Sequence, residues 1–183
     1  MRISSLLKAV FGVLIVLIGI VFWTQYQLQG NRSHDPVVAP AFRLPLISGG
    51  IIDLTEMRGI VVVVNYWASW CSPCQAEFSS MIELAEKFRG RPFKIIAISL
   101  DEENVAVINF LKKYSPLPEN LLIALDPEKT SAAKYGTNKL PESYILDSNL
   151  RIVKKVVSAH DWMELQTVRA LERLLKGESF NLY

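Results

Sequence analysis

An apolar segment followed by two cysteines constrains the possible fold and chemistry of this chain more than any other feature of its sequence. The apolar segment 61–67 is followed within a few residues by Cys71-Ser72-Pro73-Cys74, which holds the only two cysteines among 183 residues. A thiol in the first turn of a helix is acidified by the free backbone N–H groups and by the helix dipole. A second thiol one turn further on can close a disulfide with it. The pattern therefore predicts a redox-active Cys71–Cys74 pair where a strand meets a helix.

Two other uses of a Cys-x-x-Cys pair have less support. A structural zinc site needs four ligands, but besides the two sulfurs the chain offers only His34 and His160, which lack the spacing of a zinc motif. A purely structural disulfide that closes so short a loop constrains the unfolded chain little and adds little stability. The redox use is therefore favoured, and neither a metal nor a cofactor is expected.

Position along the helix predicts separate roles for the two cysteines. Cys71 lies at the exposed start of the helix and is expected to attack a substrate disulfide, whereas the better shielded Cys74 is expected to resolve the mixed disulfide. Pro73 suits the first helical turn, where a missing N–H costs nothing. Ser72 is small and uncharged, so nothing between the cysteines strongly stabilises a thiolate. This favours a reductant of disulfides, with a thiol oxidant or isomerase as the alternative.

The charge balance argues against polyanionic partners. The chain has 20 Lys and Arg against 18 Asp and Glu, a net charge of +2. Without a long basic block, nucleic-acid binding has no support. Short charge runs such as Asp101-Glu102-Glu103 are interpreted as solvated helix ends.

A separate apolar segment lies near the N-terminus. Residues 9–23 are uninterrupted hydrophobic residues, preceded by Arg2 and Lys8. Trp23 and Tyr26 occupy positions typical of a membrane interface, and no small-x-small cleavage site follows closely. These features favour an uncleaved transmembrane helix over a signal peptide.

The positive residues before the apolar segment predict its orientation. The positive-inside rule keeps the N-terminus in the cytoplasm and sends the remaining chain across the cytoplasmic membrane, to the periplasmic side. We therefore expect a cytoplasmic tip and membrane anchor at residues 1–29, a linker at 30–40 and a folded domain at 41–183. The anchor makes membrane lipid a partner.

Beyond the linker, the hydrophobic periodicity alternates between strands and helices. Strands are predicted at 42–46 and 51–54 as a hairpin, and at 60–66, 93–100, 121–125, 143–147 and 152–157. Helices are predicted at 74–88, 105–111 and 129–135, with a last helix that ends near residue 177 and begins with a capping box of Asp161 and Glu164. This order predicts an α/β sheet with helices on both faces.

Several of these segments together resemble one known family. Residues 63–78, VVNYWASWCSPCQAEF, are similar to the active site of the membrane-anchored thioredoxin-like proteins of the TlpA, ResA and CcmG (DsbE) group. Residues 41–44 and 49–59 resemble the opening hairpin of this group, and residues 140–147 resemble its proline loop and the following strand. The resemblance covers about residues 41–177. It implies a thioredoxin-like fold with an N-terminal β-hairpin and a central helix-strand insertion between residues 105 and 125.

The resemblance also implies roles for residues around the cysteines. Glu77 shares a helical face with Cys74, and in this group an acid at that position tunes or deprotonates the buried thiol; a first-turn acid favoured by the helix dipole is the alternative. The Leu140–Pro141 bond is expected to be cis and to face the disulfide, so that the neighbouring backbone pairs with the substrate. Glu142 follows directly and is expected to contact the substrate or the buried thiol.

Asn65 and Trp70, near the cysteine pair in sequence, are expected to have different roles. Asn65 stands where thioredoxin itself has an aspartate, and because a neutral amide cannot accept a proton, we expect it to satisfy a buried hydrogen bond. Trp70 is expected to present apolar surface to the substrate.

Two classes of function follow. The first is a thiol:disulfide oxidoreductase, a protein-disulfide reductase that the resemblance links to the haem-attachment cysteines of apocytochrome c during cytochrome c maturation. The implied electron donor is a membrane thiol relay of the DsbD or CcdA kind, because an extracytoplasmic compartment tends to oxidise thiols. The alternative is a copper chaperone that uses Cys71, Cys74 and His160. The Pro-x-x-x-Thr-x-x-Cys pattern of peroxiredoxins is absent.

Overall fold

The chain divides into two units, Met1–Asp35 and Pro36–Tyr183. The structure is a computed structural model that describes the backbone of residues 3–30 and 37–180, and the side chains of residues 11–25 and 37–180. In the first unit, helix α1 spans Ile3–Gly30. Its side chains 11–25 are all exposed. Within the part of the chain that the structure describes, no helix combines the length and the apolar character that a membrane crossing requires. Arg2, the Lys8 and Tyr26 side chains and linker residues 31–36 lie outside the described residues.

The second unit is built around a five-stranded sheet. The strands are β3 (Val61–Trp67), β4 (Phe93–Ser99), β5 (Leu121–Leu125), β6 (Glu142–Leu146) and β7 (Ile152–Val157), in the order β5-β4-β3-β6-β7. Strands β3, β4 and β5 are parallel, while β6 runs antiparallel to β3 and β7 antiparallel to β6. All seven residues of β3 are buried, as expected for the central strand of a sheet covered on both faces.

Helices cover both faces of this sheet. Helices α2 (Ser72–Lys87), α3 (Asn104–Leu111) and α5 (Leu165–Leu175) contribute to one hydrophobic core, which includes the two cysteines. Helix α4 (Thr130–Tyr135) and the hairpin of β1 (Arg43–Pro45) and β2 (Ile51–Asp53) contribute to the core on the other face. Because β-strand side chains alternate between faces, neighbouring residues of β3 and β6 belong to different cores. This alternation decides which side chains can reach the cysteines.

Both edges of the sheet are partly covered by the beginning of the domain. Leu46 pairs with Ala124 at the β5 edge, and Val38 pairs with Arg151 beside β7. Covering edge strands limits unwanted pairing with other chains. The predicted hairpin is present. Leu46, the residue after β1, also pairs with the exposed edge of the inserted strand β5.

Most predicted elements are found within one or two residues of their expected bounds, including the inserted helix α3 and strand β5. The capping box is wrong: α5 begins at Leu165, Glu164 makes no side-chain cap, and Asp161 instead accepts a hydrogen bond from the Met163 N–H. Helix α2 begins at Ser72 and not at Cys74. The reason for this second difference lies in the geometry of the cysteine pair.

Candidate active site

The cysteines lie at the end of the sheet that is formed by the carboxyl ends of β3 and β4. Register pairing of Tyr66 with Glu142 places the start of β6 beside the end of β3. The residue before β6 is Pro141, and the Leu140–Pro141 bond is cis, as the family resemblance implies. The sheet thus brings the proline loop and the cysteine turn to the same end of the sheet, although they are about 70 residues apart in sequence. A second cis bond, Ser115–Pro116, was not foreseen.

Cys71 and Cys74 form a disulfide, with their Cα atoms 5.3 Å apart. Cys71 is the N-cap of α2: its backbone is extended, and its Sγ accepts a hydrogen bond of 3.3 Å from the Cys74 N–H. A sulfur in this position takes the place of the oxygen that usually caps a helix, which explains why α2 begins at Ser72. Pro73 lies in the first turn, as predicted.

The two cysteines differ less in burial than the sequence predicted. Cys71 is 6% exposed and Cys74 is 1% exposed, so Cys71 is buried although it lies at the start of the helix. The neighbouring Ser72 and Pro73 are exposed, and Trp70 is 68% exposed. The exposed side chains next to the two cysteines in sequence are therefore apolar or small and uncharged. Leu140 is half-buried and Pro141 is buried.

Glu77 lies one turn after Cys74 on α2 and is only 4% exposed. Its Oε1 accepts a hydrogen bond of 2.8 Å from the Asn65 amide, and its Oε2 accepts one of 3.0 Å from the backbone N–H of His160. Burial raises the pKa of Glu77 from 4.5 to about 7, and the two hydrogen bonds only partly oppose this rise. The carboxyl group can therefore hold or release a proton near neutral pH.

Asn65 connects Glu77 to the proline-loop strand. Its Nδ2 donates to Glu77 Oε1 and also to Ser143 Oγ, both at 2.8 Å. The expectation of a buried hydrogen bond is met, and the partner is the acid of the site. Asn65 and Glu77 each stand out in the sequence, but their contact does not, because the two residues lie on different elements.

His160 lies in the loop before α5, where the sequence placed it. Its Nε2 forms a hydrogen bond of 2.8 Å with Thr167 Oγ1, and its ring packs edge-on against Trp162. Among the described residues, no three His, Cys, Asp or Glu side chains cluster so as to hold a metal ion. The copper chaperone alternative, with Cys71, Cys74 and His160 as ligands, stays a prediction.

Glu142 does not have the surroundings that the sequence suggested. Lys155 Nζ is 2.7 Å from its Oε1, and the Tyr144 hydroxyl donates to its Oε2 at 3.1 Å. Glu142 shares a sheet face with Tyr144, which belongs to the core opposite the one that contains Cys74. The expected contact with the buried thiol is therefore wrong, because alternation along β6 directs this side chain away from α2.

A buried acid that the sequence analysis passed over lies beside the cysteine turn. The sequence predicts a solvated helix end for Asp101, but the residue is buried and accepts hydrogen bonds from Ser69 and Ser99. The signal that could have found it is its place two residues after β4, because the carboxyl ends of β3 and β4 meet at the end of the sheet where the cysteine turn begins.

The chain is similar to known proteins over most of its length. Residues 37–155 match the model of the AhpC/TSA family. The thiol-disulfide oxidoreductase ResA of Bacillus subtilis (strain 168) is 31% identical over 163 residues, covering 84% of this chain and 89% of that protein. ResA of Bacillus anthracis is 30% identical over 167 residues, covering 90% and 91%. The crystal structure of a putative thiol:disulfide interchange protein DsbE from Chlorobium tepidum superposes with a TM-score of 0.65 at 28% identity, over 78% of this chain and 95% of that chain.

The matched proteins and the disulfide geometry agree on one chemistry. The Cys71–Cys74 pair caps a helix beside a cis proline, and the relatives carry the name of thiol-disulfide oxidoreductases. The fold is the thioredoxin-like fold that the sequence predicts. The chain therefore belongs to the AhpC/TSA family and, within it, to the thioredoxin-like thiol-disulfide oxidoreductases of the TlpA/ResA/CcmG group.

Proposed function

We propose that the protein reduces disulfides in other proteins, with Cys71 as the attacking thiol and Cys74 as the resolving thiol. The Cys71 thiolate attacks one sulfur of the substrate disulfide, and the other substrate sulfur leaves as a thiolate. Cys74 then attacks Cys71 Sγ in the mixed disulfide, which releases the second substrate thiolate and leaves the Cys71–Cys74 disulfide. Two electrons pass to the substrate. The cap hydrogen bond from the Cys74 N–H to Cys71 Sγ supports this order, because it favours negative charge on the Cys71 sulfur.

Glu77 is proposed as the group that takes the proton from Cys74. A buried thiol must lose its proton before it can attack, and an ordinary carboxylate is too weak a base to help much. The observation that carries this proposal is the burial of Glu77 one turn from Cys74, which raises its pKa to about 7. Asn65 and the His160 N–H hold the carboxyl group in place. Leu140, which precedes the cis Pro141, is proposed to pair through its backbone with the substrate chain, beside the exposed Trp70.

The surroundings of Cys71 support a flow of electrons from this protein to its substrate. The residues between the cysteines are uncharged, and the hydrogen bond at Cys71 Sγ comes from a backbone N–H. An oxidant of the DsbA kind has a potential about 150 mV above that of thioredoxin, which corresponds to roughly 7 kcal/mol of extra stabilisation of the reduced form. One backbone hydrogen bond contributes far less than this. The site therefore suits a reductant.

The reduction potential of the Cys71–Cys74 pair is expected to lie near or below about −250 mV. It is measured on the full chain in detergent by equilibration with a thiol redox buffer and quantification of the free thiols. A value above about −180 mV would contradict the reductant and favour an oxidant or isomerase.

We also propose that residues 1–29 anchor the protein in the cytoplasmic membrane, with the catalytic domain on the periplasmic side. The support is the uninterrupted apolar sequence of residues 9–23, flanked on the N-terminal side by Arg2 and Lys8. In that compartment the protein would need electrons from a membrane thiol relay of the DsbD or CcdA kind, and disulfides of apocytochrome c would be its substrates.

The anchor is tested by placing charges in the apolar segment. The unmodified chain is expected to stay in the membrane pellet after alkaline carbonate extraction, and a C-terminal reporter active only outside the cytoplasm is expected to be active. The double variant Val16→Arg/Ile18→Arg should lose both properties, because each charge costs about 3 kcal/mol at the centre of a membrane helix. Gln25→Arg, just beyond the apolar segment, is the matched control. Carbonate release of the unmodified chain would overturn the anchor.

A further inference from the structure

Asp101 holds the turn that connects β3 to α2. Its Oδ2 accepts a hydrogen bond of 2.8 Å from the Ser69 backbone N–H, and its Oδ1 accepts one of 2.7 Å from the Ser69 hydroxyl. The Ser99 hydroxyl donates to Oδ2 at 2.7 Å and accepts from the Asp101 N–H at 3.0 Å. The carboxylate is thus fixed to the end of β4 on one side and to Ser69 on the other.

Ser69 is also tied to the helix that the turn enters. Its carbonyl oxygen accepts a hydrogen bond of 2.6 Å from the Gln75 side chain, and the Gln75 N–H donates to the Cys71 carbonyl at 3.0 Å. The Cys71 N–H donates to the Ala68 carbonyl at 3.2 Å. The turn of residues 68–71 is therefore held by β4 at its start and by α2 at its end, and it carries both Trp70 and Cys71.

From this closed set of hydrogen bonds we infer that Asp101 is a positioning residue: through Ser69 it fixes the cysteine turn so that Cys71 Sγ stays over the Cys74 N–H at the start of α2. The inference rests on the proposed role of Cys71 as the attacking thiol. A buried carboxylate held by three neutral donors costs more to bury than an apolar side chain of similar size, so stability alone does not explain it. Its effect is expected in the reactivity of reduced Cys71.

The test compares Asp101→Ala with Asp101→Asn in the reduced full chain. Alkylation by iodoacetamide is followed from pH 5 to 10, and mass spectrometry identifies the modified cysteine. In Asp101→Ala the turn loosens and the Cys74 N–H no longer stabilises the thiolate. The pH midpoint of Cys71 alkylation should therefore move upward, and the rate at pH 7 should fall about threefold. The pH midpoint of Asp101→Asn should not move upward. Its amide oxygen can still accept a hydrogen bond from the Ser69 N–H, and its amide NH₂ can donate one to the Ser69 hydroxyl oxygen.

Two more variants complete the comparison. Ser69→Ala keeps the backbone contact but loses the hydroxyl contact, so it should give a smaller upward shift, and it serves as the test if Asp101→Ala does not fold. Glu102→Gln removes an exposed charge from the neighbouring position and should leave the midpoint unchanged.

Two results would overturn the positioning role. One is an unchanged midpoint in the folded Asp101→Ala and Ser69→Ala variants. The other is an equal downward shift in Asp101→Ala and Asp101→Asn, which would mean that only the charge acts. The proposed function fails separately if Cys74, and not Cys71, is alkylated first in the unmodified chain.

Discussion

Replacing Cys74 with serine is expected to stop the reaction at the mixed disulfide between Cys71 and the substrate. Serine keeps the size of the side chain but cannot attack a disulfide, so the covalent complex lasts until an external thiol resolves it. Cys71→Ser should instead abolish the first step and lower the rate of disulfide reduction at least about a thousandfold, because a hydroxyl is a poor nucleophile without an activating base. The measurement is turnover of a protein disulfide, combined with non-reducing gels that separate the covalent complex.

Ser79→Ala is the matched control for both variants. Ser79 lies on α2, five residues after Cys74, and is exposed, and its side chain has no part in either proposed step. It should turn over at close to the unmodified rate and trap nothing. A covalent complex that accumulates with Cys71→Ser and not with Cys74→Ser would reverse the two roles. That result would conflict with the deeper burial of Cys74.

The trapped complex also tests which proteins are reduced. Cys74→Ser, produced in the cells that make the protein, should hold its substrate covalently through a purification under denaturing conditions. Apocytochrome c peptides that carry a cysteine joined to Cys71 are the expected product. Complexes that contain only other proteins would leave the reductase intact and remove cytochrome c maturation as its role.

Local sequence patterns were enough to predict the elements and the cysteine pair. The β3 strand is apolar throughout and buried throughout, so its pattern shows its central place in the sheet. Cys71 and Cys74 are separated by one helical turn, and a proline marks that turn, so their geometry depends on neighbours in sequence. Predictions of this kind succeed because the forces that decide them act over a few residues.

Contacts between distant segments could not be predicted in this way. Glu142 follows the cis proline and so looked like a neighbour of the buried thiol, but the alternation of β6 directs it to Lys155 on the opposite face. Asp101 looked like a surface acid because two more acids follow it, and only the neighbouring end of β3 makes it a buried acceptor. The His160 N–H reaches Glu77 across 83 residues. In each case the partner is decided by how elements distant in sequence pack together and not by local composition.

Replacing Glu77 with glutamine is expected to change how stability depends on pH. Below about pH 4.5 the carboxyl group is protonated in both the folded and the unfolded chain. Between pH 4.5 and about 7 the folded protein keeps a proton that the unfolded chain has released, so the free energy of unfolding falls as the pH rises. Above that range the loss is complete, and it amounts to about 3 kcal/mol. Glutamine does not titrate and avoids this loss.

The measurement is urea unfolding of the oxidised protein at pH 5 and at pH 8. From the lower to the higher pH, Glu77→Gln should gain up to about 3 kcal/mol of stability relative to the unmodified chain. Glu83→Gln, an exposed acid on the same helix, is the control and should show no such gain. A stability difference that stays constant between the two pH values would mean that Glu77 ionises normally, and it could then be no stronger a base than a surface carboxylate.

The same substitution separates stability from catalysis. If Glu77 accepts the Cys74 proton, resolution of the mixed disulfide in the unmodified chain should accelerate as the pH rises through about 7, where the carboxylate forms. Glu77→Gln should lose this acceleration and resolve about a hundredfold more slowly at pH 8, although it is the more stable protein there. A variant that is both more stable and slower would mean that burial of the Glu77 carboxyl group lowers the stability of the fold and speeds the reaction. Equal resolution rates at pH 8 would assign the buried carboxyl group no part in proton transfer.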